Sequence, residues 1–329
     1  IQNTHTGDLD TIEINKKMLN LAAERGMTVN VADYRMDDIF NASDEEIAQI
    51  VEDYKGHPGL EGYYIRDEPS VDEFPDAARV YKKMLELDPN AVPYVNHYPH
   101  YTTYFQKWVD EVGASNLKYL SYDFYPFAED GTVRSGYFTS LDKLREVGLK
   151  NNVKTANYLQ SVGIPGVYTR PTEDGLRYNV YTSLADGLKS VTWFTWWTPT
   201  NRGEPFTDAI ITADGKKTDL FEPVKNLNYQ MKQLGPTLMK LDALNVFHSG
   251  EISEGVPRIP DYFFWKPVNT EDNILLSYFK DRETGRIYIM AVNKSLNETK
   301  TMDFQIDVER DIDYISEISK ETGKEKNAN

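Results

Sequence analysis

The first two-thirds of the chain alternates two kinds of hydrophobic pattern. Residues 11–25 place Ile12, Leu19, Leu21 and Ala22 at helical spacing, and Gly26 ends that helix. The run 27–34 is β-prone and predicts a strand. Ser43 followed by Glu46 is a capping box that opens a second helix. The alternation then repeats, with strands at 62–67, 92–97, 117–124, 153–160 and 190–197 and helices at 71–88, 102–113, 138–150 and 172–188. This period predicts βαβ crossovers and a parallel sheet of six readable strands. A hairpin-like insert (IITADGKKTDL) and a long helix over about 224–241 follow.

Beyond residue 247 the texture changes. ILLSYFKDRETGRIYIMAVNKS holds two alternating runs around Arg282-Glu283-Thr284-Gly285, a hairpin signal. Two domains are expected: a barrel domain over 1–247, and over 248–329 a small antiparallel β-sandwich module with few strands for a complete one. An open doubly wound sheet would carry a Gly-rich phosphate loop after a strand, and none is present. A (β/α)8 barrel has eight strands, so the first two would be missing here. On that expectation residues 1–7 are the tail of the second, and the chain begins inside a domain.

Charge narrows the function classes. The chain of 329 residues carries 52 acidic against 36 basic residues, a net charge of -16. That excess argues against nucleic acid and anionic lipid as partners, since both require a basic footprint. No apolar run approaches the ~20 residues needed to span a bilayer. There is no cysteine, which removes thiol catalysis and disulfides. The 22 Tyr, 14 Phe and 5 Trp are mostly core, but those at strand ends could stack on sugar rings.

The candidate chemistry sits at strand ends. Gly62-Tyr63-Tyr64-Ile65 runs into Arg66-Asp67-Glu68-Pro69, and Pro69 cannot continue a ladder. A carboxylate pair therefore ends the strand, at the edge where parallel α/β folds bind ligands. Asp123 ends another strand and is the candidate second carboxylate. Its alternative is to bind sugar hydroxyls or pair with an arginine. Further strand-end groups are Asp33 and Arg35, Asn96 and His97, Tyr125, and Trp196 and Trp197. Alternation lets only one of the two tryptophans face a barrel mouth. A structural role for His97 is as strong a reading as a ligand role. The histidines are too sparse for a zinc site.

These motifs resemble those of a known group. Arg66-Asp67-Glu68-Pro69 resembles the Asn-Glu-Pro strand end of clan A glycoside hydrolases. Tyr122-Asp123-Phe124-Tyr125-Pro126-Phe127 is similar to the end of their sixth strand, and GLKSVTWFTWW resembles the last strand of family 42 β-galactosidase-like proteins. The resemblance spans roughly residues 12–245 and numbers the readable strands three to eight. It implies that Glu68 is the acid/base. It also implies that Asp67 stands where the family has asparagine. The nucleophilic glutamate of the seventh strand is not matched, because Gln160 stands near that position. Glu173, the nearest glutamate downstream, reads as a first-turn helix residue.

The expectation is a glycoside hydrolase acting on an oligo- or polysaccharide, with Glu68 and Asp123 catalytic. Asp67, Asp33, Arg35, Asn96, His97, Tyr125, Gln160, Trp196 and Trp197 would bind substrate. No metal or organic cofactor is implied, the carbohydrate is the partner, and export from the cell is expected. The alternative is a barrel that binds glycan without cleaving it. A Schiff-base aldolase reading lacks a strand-end lysine, since Lys154 sits at a strand start.

Overall fold

The computed structural model describes residues 11–98, 101–200, 203–307, 312 and 314–327. Residues 1–7, read above as the tail of a strand, lie outside them. The fold is α/β, of (β/α)-barrel type: six parallel strands alternate with helices, and small antiparallel sheets follow. The chain forms two compact units, one running up to Asp123 with Lys150–Lys154, the other comprising Phe124–Leu149 and Thr155 onward.

The first unit contains α1 (Ile12–Ala23), β1 (Val29–Val31), α2 (Asp44–Tyr54), β2 (Leu60–Asp67), α3 (Phe74–Leu87), β3 (Tyr94–His97), α4 (Thr102–Val112) and β4 (Leu120–Asp123). The capping box at Ser43 and Glu46 is formed as read, and Thr11 caps α1. Pro75 sits in the first turn of α3, where its missing N–H costs nothing. β1 pairs with β2, β2 with β3 and β3 with β4, all parallel.

Strand alternation divides this unit's side chains. One set faces the helices: Tyr63 donates to the Val51 carbonyl of α2, and the Tyr122 ring meets Phe105 of α4 edge-on. The core between strands and helices is aromatic, with Phe74, Phe105 and Trp108 all fully buried. Each such side chain contributes roughly 1.5–3 kcal/mol by leaving water. The opposite face is polar and carries Asn30, Tyr64, Tyr94, Asn96, Ser121 and Asp123. Strands β2 and β3 approach closely at Gly62, where a Cβ would fall 2.0 Å from the Val92 carbonyl oxygen. Only glycine fits there.

The second unit contains α5 (Tyr137–Asn151, up to Leu149), β5 (Thr155–Gln160), α6 (Glu173–Ala185), β6 (Ser190–Phe194) and α7 (Phe221–Leu238). β5 and β6 are parallel, from Ala156 opposite Ser190 to Gln160 opposite Phe194. Leu159, Leu176, Val180, Ile210 and Val224 form the buried core beneath them. The antiparallel part has β7 (Leu241–His248), β8 (Trp265–Pro267), β9 (Ile274–Asp281), β10 (Ile287–Asn293), β11 (Phe304–Ile306), β12 (Ser316–Ile318) and β13 (Glu325–Asn327). β7, β9 and β10 make one sheet, with the expected hairpin joining β9 to β10. β8 pairs with β11 and β12 with β13.

Candidate active site

The site is built where β2 departs from regular strand geometry. Tyr64 lies opposite Tyr94, but Asp67 lies opposite Asn96, so β2 spends three residues where β3 spends two. That extra residue is a bulge at Ile65 and Arg66. Strict alternation would send Asp67 toward the helices, and the bulge returns it to the face of Tyr64. Arg66 is carried off to pair with Glu73 at 2.8 Å, its guanidinium 5.2 Å from the Phe40 ring centre.

Glu68 then adopts φ +45°, the left-handed region that glutamate rarely occupies. Its N–H still donates to the Asn96 carbonyl at 2.9 Å. The bulge and the left-handed residue together bring two consecutive acids to one place. Pro69 fixes the exit, its carbonyl accepting from the Tyr104 hydroxyl at 2.7 Å.

A continuous polar network joins β2, β3 and β4. The Asn96 side-chain amide donates to Asp67 at 3.2 Å and to Asp123 at 2.9 Å. The Asn96 side-chain oxygen accepts from the Ser121 hydroxyl at 3.3 Å, and Ser121 is hydrogen-bonded to the Tyr94 hydroxyl. Tyr64 stacks on Tyr94 at 6.0 Å and hydrogen-bonds Asp67. The Glu68 carboxyl is hydrogen-bonded to that of Asp123.

Partial burial of the carboxyl, then the charges of Asp123 and Asp67, push Glu68 up to about 8. The residue as a whole remains accessible to solvent. The like-charge pressure of two neighbouring acids is therefore the cause with the firmer structural basis. Two carboxyl groups in contact share one proton, and the pair titrates as a unit. Near neutral pH the site holds a carboxylic acid able to protonate an oxygen leaving group. The Glu68–Asp123 contact is shorter than the ~5 Å of a retaining glycosidase pair and the ~6.5–9.5 Å of an inverting pair.

The other sequence candidates fall elsewhere. Asp33 is fully buried, accepting from Arg35 at 2.8 Å through both carboxyl oxygens and from Tyr54 at 2.5 Å. Arg35 also pairs with Asp53 at 2.9 Å. Burial opposes the charge of Asp33, yet these donors hold its pKa below the usual range. The pair ties the end of β1 to α2, and both Asp33 oxygens are filled by donors from the chain itself. His97 faces the helices, with Trp108 at 5.1 Å and Tyr104 at 5.8 Å, and its Nδ1–H donates to the Ser121 carbonyl at 2.8 Å. Burial pushes it down to about 4, so it is a neutral core residue.

Asn96 is 3% exposed and spends its amide on the acids rather than on a ligand. Gln160 is 1% exposed: its oxygen accepts from the Phe127 N–H at 3.2 Å, and its amide donates to Val162 at 3.0 Å and Thr169 at 2.8 Å. Tyr125 stacks on Phe194 at 5.3 Å. Trp196 and Trp197 are both open, at 51% and 44% exposure, with Trp196 against Phe221 and Trp197 donating to the Ala213 carbonyl. Glu173 is in the first turn of α6, paired with Arg177 at 3.0 Å.

Sequence reasoning missed Tyr64, Tyr94 and Ser121. The signal was available in part, since Tyr94 and Ser121 stand two residues before Asn96 and Asp123 on their strands. Among the described residues, no group of three or more His, Cys, Asp or Glu is arranged to hold a metal ion. Likewise no described helix is long and apolar enough to cross a membrane.

No protein-family model and no curated protein matches the chain. Solved structures do. A cold-adapted β-galactosidase from Rahnella sp. R3 superposes with a TM-score of 0.54 at 13% identity, over 71% of this chain and 50% of that one. The Pseudomonas stutzeri endoglucanase Cel5A gives a TM-score of 0.43 at 19% identity, over 67% of this chain and 75% of that one. A GH10 xylanase from Thermobacillus composti gives 0.45 at 14%, over 66% and 82%. This chain thus spans half the length of the Rahnella protein. The structural neighbours are glycoside hydrolases of barrel type, and they include a glucuronidase and a putative fucosidase. At 13% identity the likeness to the Rahnella protein is one of fold alone.

Proposed function

We propose that the chain is a glycoside hydrolase in which Glu68 protonates the departing glycosidic oxygen. One observation carries this reading: beyond the C-terminal end of β2 the Glu68 carboxyl is hydrogen-bonded to that of Asp123, where partial burial and then the charges of Asp123 and Asp67 push its pKa up to about 8. Asp123 then serves as the charge partner that keeps the proton in place. Water attacks the anomeric carbon from the far side of the sugar as the glycosidic C–O bond breaks, and the proton it releases returns to Glu68 through solvent. Within the superfamily, the strand-end motifs favour a family 42-like enzyme, and the substrate is an oligo- or polysaccharide.

A panel of aryl glycosides, including galactosides, glucosides, xylosides, fucosides and glucuronides, tests this with wild type and Glu68→Gln. Turnover by wild type that Glu68→Gln lacks, with binding retained, supports the hydrolase. Gln160 favours a second reading. Where the resemblance calls for a nucleophile, its side chain is uncharged and committed to three backbone groups. A barrel that binds glycan without cleaving it would bind members of the same panel and turn over none.

A further inference from the structure

We propose that Asn96 is a positioning residue that, by donating to Asp123, leaves the proton shared between Asp123 and Glu68 on Glu68. The inference rests on the reading of Glu68 as proton donor, and it concerns how the site assigns that part to one acid among three. Asn96 lies on β3, between the strands that bear the acids, and is almost fully buried. Its amide nitrogen has two hydrogens, one directed to Asp67 at 3.2 Å and the other to Asp123 at 2.9 Å. Neither is left for Glu68. Its oxygen accepts from Ser121 at 3.3 Å, which fixes the amide's orientation. Reversed, the amide would set its oxygen against two carboxylates.

A donated N–H stabilises the ionised form of a carboxyl group and disfavours its protonation. Asp67 and Asp123 each receive one from Asn96. Asp67 also hydrogen-bonds Tyr64. Tyr64 and Tyr104 are phenols whose pKa values burial raises further, and Tyr104 spends its hydrogen on the Pro69 carbonyl. Tyr94 is bonded to Ser121, and Arg66, the nearest cation along the chain, is paired with Glu73. Of the three acids, Glu68 is the one that the Asn96 amide does not serve. The proton therefore rests there, and Asn96 acts through the carboxylates rather than on a sugar.

The test is a carbon-13 NMR titration of side-chain carboxyl groups in the full chain. Glu68→Gln and Asp123→Asn supply the assignments. In wild type the higher-pH step should appear chiefly at the Glu68 carboxyl, with a minor change at Asp123. In Asn96→Ala the larger share of that step should move to Asp123. Asn96→Ser retains one donor and should give an intermediate division. It also carries the test if the alanine variant does not fold. A step that stays wholly on Glu68 in a folded variant overturns the proposal, and so does loss of fold in both. The titration does not need turnover. Wild type with its upper step on Glu68 and no activity on any glycoside would end the hydrolase reading and leave the role of Asn96 intact. Equal titration of Glu68 and Asp123 in wild type would end the role of Asn96 and leave the hydrolase reading to the glycoside panel.

Discussion

The ends of β2 and β5 handle polar side chains in opposite ways. At β5, Gln160 is buried and each polar atom has a fixed backbone partner, so the side chain stitches loops together. At β2, three acids are set against one another and the backbone is bent twice to do it. A saturated amide lowers the energy of the fold. A cluster of like charges raises it, and persists where the surroundings over-determine it. The contrast separates a side chain used up by the fold from one whose acid group is left for the proposed chemistry, although both occupy strand ends of the same barrel type.

The contrast breaks first at Glu68. Glu68→Gln should lower kcat by about 10²–10⁴-fold, the range for loss of a general acid, in steady-state assays on any aryl glycoside that wild type cleaves. The same variant should be more heat-stable at alkaline pH. The Glu68 pKa is raised in the folded state, so its stabilising contribution is complete below about 4.5 and lost as pH rises through about 8. Tm should match wild type at pH 4 and exceed it at pH 9.

Gln160 should behave in the reverse sense. Gln160→Ala leaves buried backbone groups without partners, at a cost of about 1–3 kcal/mol. Its Tm should fall by several degrees while the titration of Glu68 stays unchanged. Gln160→Glu should also destabilise, because a carboxylate would face the Val162 and Thr169 carbonyls. Asp123→Asn sharpens the comparison at β2. Removing one neighbouring charge should lower the Glu68 pKa, and the alkaline limb of kcat against pH should move to lower pH. The smallest effect belongs to Glu173→Gln. Its exposed pair with Arg177 is worth about 0.3–0.5 kcal/mol, and turnover should be unaffected.

Much of the scaffold was legible because hydrophobic period and chain-stopping residues are local. The six strands, the capping box at Ser43 and the acid-bearing end of β2 before Pro69 follow from such signals. The facing of side chains was less legible. Period-2 alternation says that Asn96 and His97 point opposite ways, but not which one meets the helices. His97 lies among Phe74, Tyr104 and Trp108, and no motif announces that pocket. Asp33 and Arg35 read as rim groups because their partners, Tyr54 and Asp53, lie on a helix some twenty residues away. The bulge at Ile65 and Arg66 was not legible at all, since it arises from the register between two strands.

Glu68 occupies a backbone region where glycine and asparagine are at ease. A library randomised at this codon and sorted only for folded protein should therefore enrich those two residues. Sorting the same library for cleavage should return the acid. The divergence between the two populations would measure how far conformational comfort has been surrendered at this one position.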